Sequence, residues 1–195
     1  VTGRSLVPLL AGREPDAAAP RRASILFGKE RHVVAQQAPD QGGYPCRAIR
    51  TYDFLLIRNF EPDRWPAGTP LYARATIPGA WLADCDNGPT KSILFTHRET
   101  DALHQRLYDL SFAKRPEIEL YDLRKDPHQL VNVATDERYA QTKARLTAQL
   151  TAELRRTGDP RVVGGGEKFD RYPYLGGAPK VPPSLKLKTP DKRTR

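Results

Sequence analysis

Apolar side chains gather along this chain in short, strand-length stretches, and only two longer segments carry them at helical spacing. Ser24–Arg31 opens the series, with Ile25 and Phe27 two residues apart and so on one face of a strand. Arg47-Ala-Ile-Arg-Thr51 and Phe54-Leu-Leu-Ile-Arg58 follow, separated by the two residues Tyr52-Asp53, and predict a tight β-hairpin. The second arm is nearly continuous in apolar residues, which predicts a central strand covered on both faces. A further strand is expected at Glu119–Leu123, closed by the turn pair Asp126-Pro127.

The helical segments come later in the chain. Thr96-His-Arg-Glu99 has the spacing of a capping box and predicts one helix running to about Ala113, with Leu103, Leu107 and Leu110 as its apolar stripe. Asp136–Thr157 predicts the long last helix. Acidic residues lie at its start, Arg155 and Arg156 at its end, and Gly158-Asp-Pro160 stops it. Tyr139, Leu146, Leu150 and Leu154 repeat so that one stripe can cover a sheet. Three or more antiparallel strands with one long helix laid across them make an α+β fold, a small antiparallel sheet packed on a long C-terminal helix.

Between these elements the chain is loop-like. Residues 33–46 carry turn chemistry, and Phe60–Ile93 is broken by Pro62, Pro66, Pro70, Pro78 and Pro89. Trp65, Trp81 and the loop between them are expected to rest on a further domain. Three regions are expected: a surface segment over 1–23, a folded domain over 24–160, and a flexible basic Pro/Gly-rich tail over 161–195. From Lys180 to Arg195 six Lys/Arg face one Asp, so this stretch carries much of the net charge of +9. No aromatic residue interleaves those charges, which disfavours a nucleic-acid platform. No apolar run approaches the roughly 20 residues that cross a bilayer. The chain holds no Met and opens on Val1, so it is expected to be part of a longer protein.

Candidate chemistry is sparse. Cys46 and Cys85 belong to no Cys-x-x-Cys pair and have no His at zinc-ligand spacing. They read as buried free thiols or one disulfide, with free thiols favoured. Asp84-Cys-Asp-Asn-Gly88 resembles a calcium loop only loosely, since Gly falls one place early and the twelfth position is Phe95; a tight polar turn is the better reading. His97 and His104, seven apart, share one helix face and are expected to pack or solvate there. Asp122 and Asp126 are expected to fix a turn. No residue of the chain is assigned to catalysis or to a metal.

The stretch Glu119-Leu-Tyr-Asp-Leu-Arg-Lys-Asp-Pro-His-Gln-Leu-Val-Asn-Val-Ala134 resembles the "LYDL..DP.E..N.A" pattern near the C-terminus of type I sulfatases. Arg47–Asn59 is similar to a hairpin of that family. Asn59–Pro66 and Asp84–Lys91 look like its bacterial branch related to heparan N-sulfatase (N-sulfoglucosamine sulfohydrolase). The resemblance covers about residues 3–175 and implies the smaller C-terminal domain of an alkaline-phosphatase-like sulfatase, packed on an N-terminal catalytic domain. It implies hydrolysis of sulfate ester or sulfamate groups on sulfated saccharides, with Ca²⁺ and formylglycine in the catalytic domain, and a periplasmic or secreted location. Formylglycine arises in Cys/Ser-x-Pro-x-Arg, and neither Cys46-Arg-Ala-Ile-Arg50 nor Cys85-Asp-Asn-Gly-Pro89 fits, so this chain alone is expected to be inactive. In the family the strand end at Lys29-Glu-Arg-His32 faces the mouth of the active site. Lys29, Arg31 and His32 are therefore the candidate contacts to an anionic sugar, against a solvated strand end as the alternative. Arg47, Arg50 and Arg58 are expected to anchor the domain interface. A noncatalytic basic module that binds acidic glycans or a protein partner is the other reading of the whole chain.

Overall fold

The computed structural model describes residues 5, 7–12 and 23–185. Its strands are β1 (Ile25–Lys29), β2 (Cys46–Arg50), β3 (Phe54–Asn59) and β4 (Ile118–Asp122), antiparallel throughout and adjacent in chain order. The helices are α1 (Val7–Leu10), α2 (Pro89–His97), α3 (Ala102–Phe112), α4 (Ala140–Arg156), α5 (Pro160–Val163) and α6 (Lys168–Arg171). Most of the N-terminal segment and residues 186–195 of the basic tail lie outside the described residues.

The hairpin forms as its pattern dictates. Thr51 N donates to Phe54 O at 2.8 Å, and Arg50 pairs with Leu55, which leaves Tyr52-Asp53 as the two-residue connection. Alternation then sorts the side chains by face. Ile49, Phe54, Leu56 and Leu120 meet Leu146, Leu150 and Leu154 of α4, while Ala48, Leu55 and Tyr121 pack on the opposite face. β3 is thus central and covered on both sides. Each fully buried Leu or Ile in that layer contributes roughly 1.5–3 kcal/mol. β1 is an edge strand with every residue exposed, Ile25 and Phe27 included. Its register matters for the site, because pairing of Lys29 with Cys46 fixes where the strand ends.

The turn after β4 explains the sixteen-residue motif in physical terms. Asn132 Oδ1 accepts from Leu120 N at 2.9 Å and from Ala134 N at 3.0 Å, and Val133 N donates to Leu120 O at 2.8 Å. Asp126 accepts from Val131 N, and Asp122 from Arg124 N, so both carboxylates hold the turn.

Two expectations about helices are corrected. The single helix from Thr96 to Ala113 is two helices, because Pro89 starts the first one earlier and Asp101 caps the second by accepting from His104 N at 3.0 Å. Thr96 lies inside α2 and caps nothing. The apolar face of α3 is Tyr108 and Phe112, not the leucines: Leu103 is 62% exposed. Those aromatics build a second core with Trp81, Leu82 and Phe95, where the Trp81 and Phe95 rings meet edge to face at 5.2 Å. His97 and His104 therefore sit on different helices, with ring centroids 5.7 Å apart.

Trp81 is fully buried within this chain, so it does not wait on another domain for cover. The Pro-rich stretch between β3 and α2 is held by backbone bonds to residues 35–38, among them Thr69 N to Ala35 O at 2.7 Å and Thr76 N to Gln36 O at 3.0 Å. The region expected as a flexible tail, 161–195, is described through residue 185. Residues 160–171 form α5 and α6, and Trp81 N and Val181 N bond to Pro179 O and Gly79 O. Charge and backbone pairing hold this segment, neither of which its composition reveals.

Candidate functional site

β1 runs out at Lys29, and the chain turns away through Glu30, Arg31 and His32. Past the strand, these side chains enter different surroundings. Lys29 Nζ donates to Asp84 Oδ2 at 2.8 Å and to Pro66 O at 3.2 Å. His32 Nδ1 meets the other oxygen of the same carboxylate at 2.9 Å. Asp84 is 10% exposed, whereas the Lys29 and His32 side chains are 44% and 80% exposed. One nearly buried carboxylate thus holds two exposed nitrogenous groups side by side.

Arg31 does not join them. Its guanidinium donates to the carbonyls of Gln41, Asp170 and Tyr172, which ties the strand end to α6. Gly43 makes room for this: a Cβ there would stand 2.3 Å from Arg31 Cα. The structure therefore brings together two of the three residues singled out in the sequence and gives the third an internal task.

Glu30 points the other way, into a chain of alternating charges. Arg47 reaches Glu30 at 2.6 Å and Asp159 at 2.6 Å; Arg161 reaches Glu30 at 2.7 Å and Asp170 at 3.4 Å; Arg64 joins Asp170 at 3.0 Å to Asp40 at 2.8 Å. Burial works against these guanidiniums, and their carboxylate partners more than reverse it, so Arg47 and Arg161 hold their protons more tightly than a free arginine. Arg47, expected to anchor a domain interface, is therefore engaged inside the chain. Arg58 pairs with Glu117 at 3.6 Å, and Arg50 is exposed.

Asp84 itself sits on a loop with an unusual support. Lys91, 4% exposed, donates to the carbonyls of Trp81, Leu82 and Cys85 and to Asn87 Oδ1, at 2.7–3.0 Å. Its ammonium also lies 4.6 Å from the Trp81 ring centroid. Burial pulls this ammonium down to about 8, with the nearby Cys85 and Asp86 side chains acting the other way. The Asp84–Gly88 segment is thus a polar turn built around a lysine. Sequence spacing marked Asp84 only as a weak calcium-loop candidate, and nothing in the spacing pointed to Lys91.

Both cysteines are free, and burial pushes the Cys46 thiol up. Among the described residues, no group of three or more His, Cys, Asp and Glu is arranged to hold a metal ion. The Ca²⁺ that the sulfatase resemblance implies finds no such group among the described residues, and neither Cys46 nor Cys85 stands in Cys/Ser-x-Pro-x-Arg. No helix among the described residues is long and apolar enough to cross a membrane. A cavity of about 490 Å³ lies between β1 and α4, lined by Phe27, Arg47, Gln149 and Glu153, away from Lys29 and His32.

No family model matches the chain. Among curated proteins it is 29% identical over 163 residues to human N-sulphoglucosamine sulphohydrolase, a match that takes in 83% of this chain. The chain resembles a sulfatase. It spans 28% of that sulfatase's length. This agrees with the resemblance to the C-terminal region of type I sulfatases read from the 119–134 motif. Among solved structures, a protein of Bacteroides thetaiotaomicron assigned to the sulfatases aligns over 82% of this chain and 21% of its own, at 16% identity and a TM-score of 0.40. A second, solved with its substrate D-glucosamine-2-N,6-O-disulfate, aligns over 79% of this chain and 24% of its own, at 15% identity and a TM-score of 0.37.

Proposed function

We propose that this chain is the C-terminal portion of a sulfatase that hydrolyses sulfate ester or sulfamate groups on sulfated saccharides. The observation that carries this reading is the identity to N-sulphoglucosamine sulphohydrolase across most of the chain. The chain contains no Cys/Ser-x-Pro-x-Arg, so its part is to complete a saccharide cleft on a separate catalytic portion that carries the formylglycine and Ca²⁺. Lys29 and His32 supply the anion-facing surface, since an ammonium and an imidazole beside each other can both donate to sulfate oxygens. Arg31 supports that surface by holding the strand end to α6. A periplasmic or secreted location goes with this reading.

The absence of a nucleophile motif also favours a second reading, a noncatalytic basic module that binds acidic glycans or a protein partner. Both are tested together by assaying hydrolysis of an aryl sulfate and of glucosamine N-sulfate, with Ca²⁺. The chain is assayed alone and mixed with a sulfatase catalytic portion bearing formylglycine. Activity confined to the mixture, and weakened by Lys29→Ala or His32→Ala, is the expected result. Silence in both, with a folded chain that still binds sulfated saccharide, favours the noncatalytic module. Turnover by the chain alone overturns the account of the absent nucleophile.

A further inference from the structure

The loop that carries Asp84 has no regular secondary structure, yet Trp81, Leu82 and Ala83 are almost wholly buried. Packed this way, the Trp81 and Cys85 carbonyls would lack a donor, which is costly in so buried a loop. Lys91 removes that cost by placing one ammonium at the centre of the loop. Two of its acceptors, Leu82 O and Cys85 O, flank Asp84 in sequence. Cys85 N closes the turn onto Leu82 O at 3.0 Å, and Asp84 N bonds to Ala67 O at 3.1 Å. Leu82 takes a left-handed φ of 43°, a conformation that a leucine holds only where its surroundings impose it. The cage, the closed turn and this backbone all determine where the Asp84 carboxylate stands.

That carboxylate decides what His32 presents outward. With Nδ1 against Asp84 Oδ1, the ring proton is held on Nδ1 and Nε2 is turned to solvent. A neutral His32 then offers Nε2 as an acceptor for a sugar hydroxyl, and a protonated one offers it as a donor to a sulfate oxygen. Lys29, held by the other carboxylate oxygen and by Pro66 O, keeps a further N–H free beside it.

We propose that Asp84 and Lys91 are positioning residues for the candidate saccharide surface: Lys91 builds the 81–87 loop, and through it Asp84 fixes His32 in the Nδ1–H tautomer with Nε2 facing outward beside Lys29. The saccharide part of this inference rests on the function proposed above, whereas the tautomer does not.

The test is imidazole ¹⁵N NMR of the full chain at a pH where His32 is neutral, alongside titration with glucosamine N-sulfate. Wild type is expected to show His32 mainly as the Nδ1–H tautomer. D84A is expected to return it to the Nε2–H form and to weaken saccharide binding about tenfold, the loss of one well-placed charge-assisted contact. K91M, which keeps volume but removes the ammonium, is expected to shift the tautomer in the same direction with the fold retained. Should K91M fail to fold, N87A removes one of the four cage acceptors and is expected to give a partial shift. A His32 indifferent to D84A overturns the positioning, whatever the saccharide does. A His32 that responds to D84A but not to folded K91M or to N87A overturns the role of Lys91. Wild type that fails to bind the saccharide while keeping its Asp84-dependent tautomer overturns the saccharide reading and leaves the positioning by Asp84 standing.

Discussion

Replacing Arg161 by Met removes the cation at the centre of the charge network behind the candidate site. The Arg161 side chain is 6% exposed and lies between Glu30, 22% exposed, and Asp170, 17% exposed. Breaking a buried pair by removing one partner costs about 3–5 kcal/mol when the remaining charge is stranded. Here Glu30 keeps Arg47 at 2.6 Å and Asp170 keeps Arg64 at 3.0 Å, so the loss falls below that range, at about 2–3 kcal/mol. With a urea m-value of about 2 kcal/mol/M, the unfolding midpoint should fall by about 1–1.5 M. Fluorescence of Trp65 and Trp81 reports the transition. A double-mutant cycle with E30Q isolates the pair, and a coupling of about 1–2 kcal/mol is expected because the two side chains touch. Added salt at 1 M should change the coupling little, since screening acts mainly on exposed charges. A midpoint for R161M within 0.2 M of wild type, or a coupling that vanishes in salt, would refute the reasoning: the network would then be a solvated surface feature.

Three further outcomes follow from other parts of the molecule. Leu150→Ala, under α4 at 1% exposure, should cost about 3–4 kcal/mol in the same urea assay, whereas Leu103→Ala on the outer face of α3 should stay within about 0.5 kcal/mol. The reverse order would mean that α3 and not α4 covers the core. Gly43→Ala should lose about 1–3 kcal/mol and loosen Arg31, because the new Cβ meets backbone that cannot move aside; wild-type stability would show that the strand end is not packed there. The Arg124 guanidinium, with help from Tyr139, holds the Asp122 carboxyl down to about 2, against an ordinary value of 3.8. Its stabilisation is complete above pH 4 and is lost as pH falls from about 4 to 2, with a size of about 1–2 kcal/mol because half-exposed Arg124 is partly screened. Acid titration of wild type against D122N measures it, and parallel curves for the two proteins would contradict the assignment.

Local pattern is sufficient where local physics decides. A two-residue connection between two apolar arms specifies the Tyr52-Asp53 hairpin, and leucines at helical spacing specify the buried stripe of α4. The α+β class and the sulfatase resemblance of the 119–134 motif came from the same source, since its asparagine and aspartates act on a turn only a few residues long. The break between α2 and α3 was not legible, because Asp101 competes with Thr96 as a cap and the aromatics of α3 outbid its leucines for the Trp81 core. The candidate site was half legible. Lys29 and His32 stood out as charges at a strand end, but the carboxylate that pairs them lies 55 and 52 residues further on. Glu30 finds Arg161 across 131 residues. Periodicity and spacing speak only for neighbours along the chain; which distant charges meet is settled when the sheet, the loops and the C-terminal segment close on one another and buried charges must find partners.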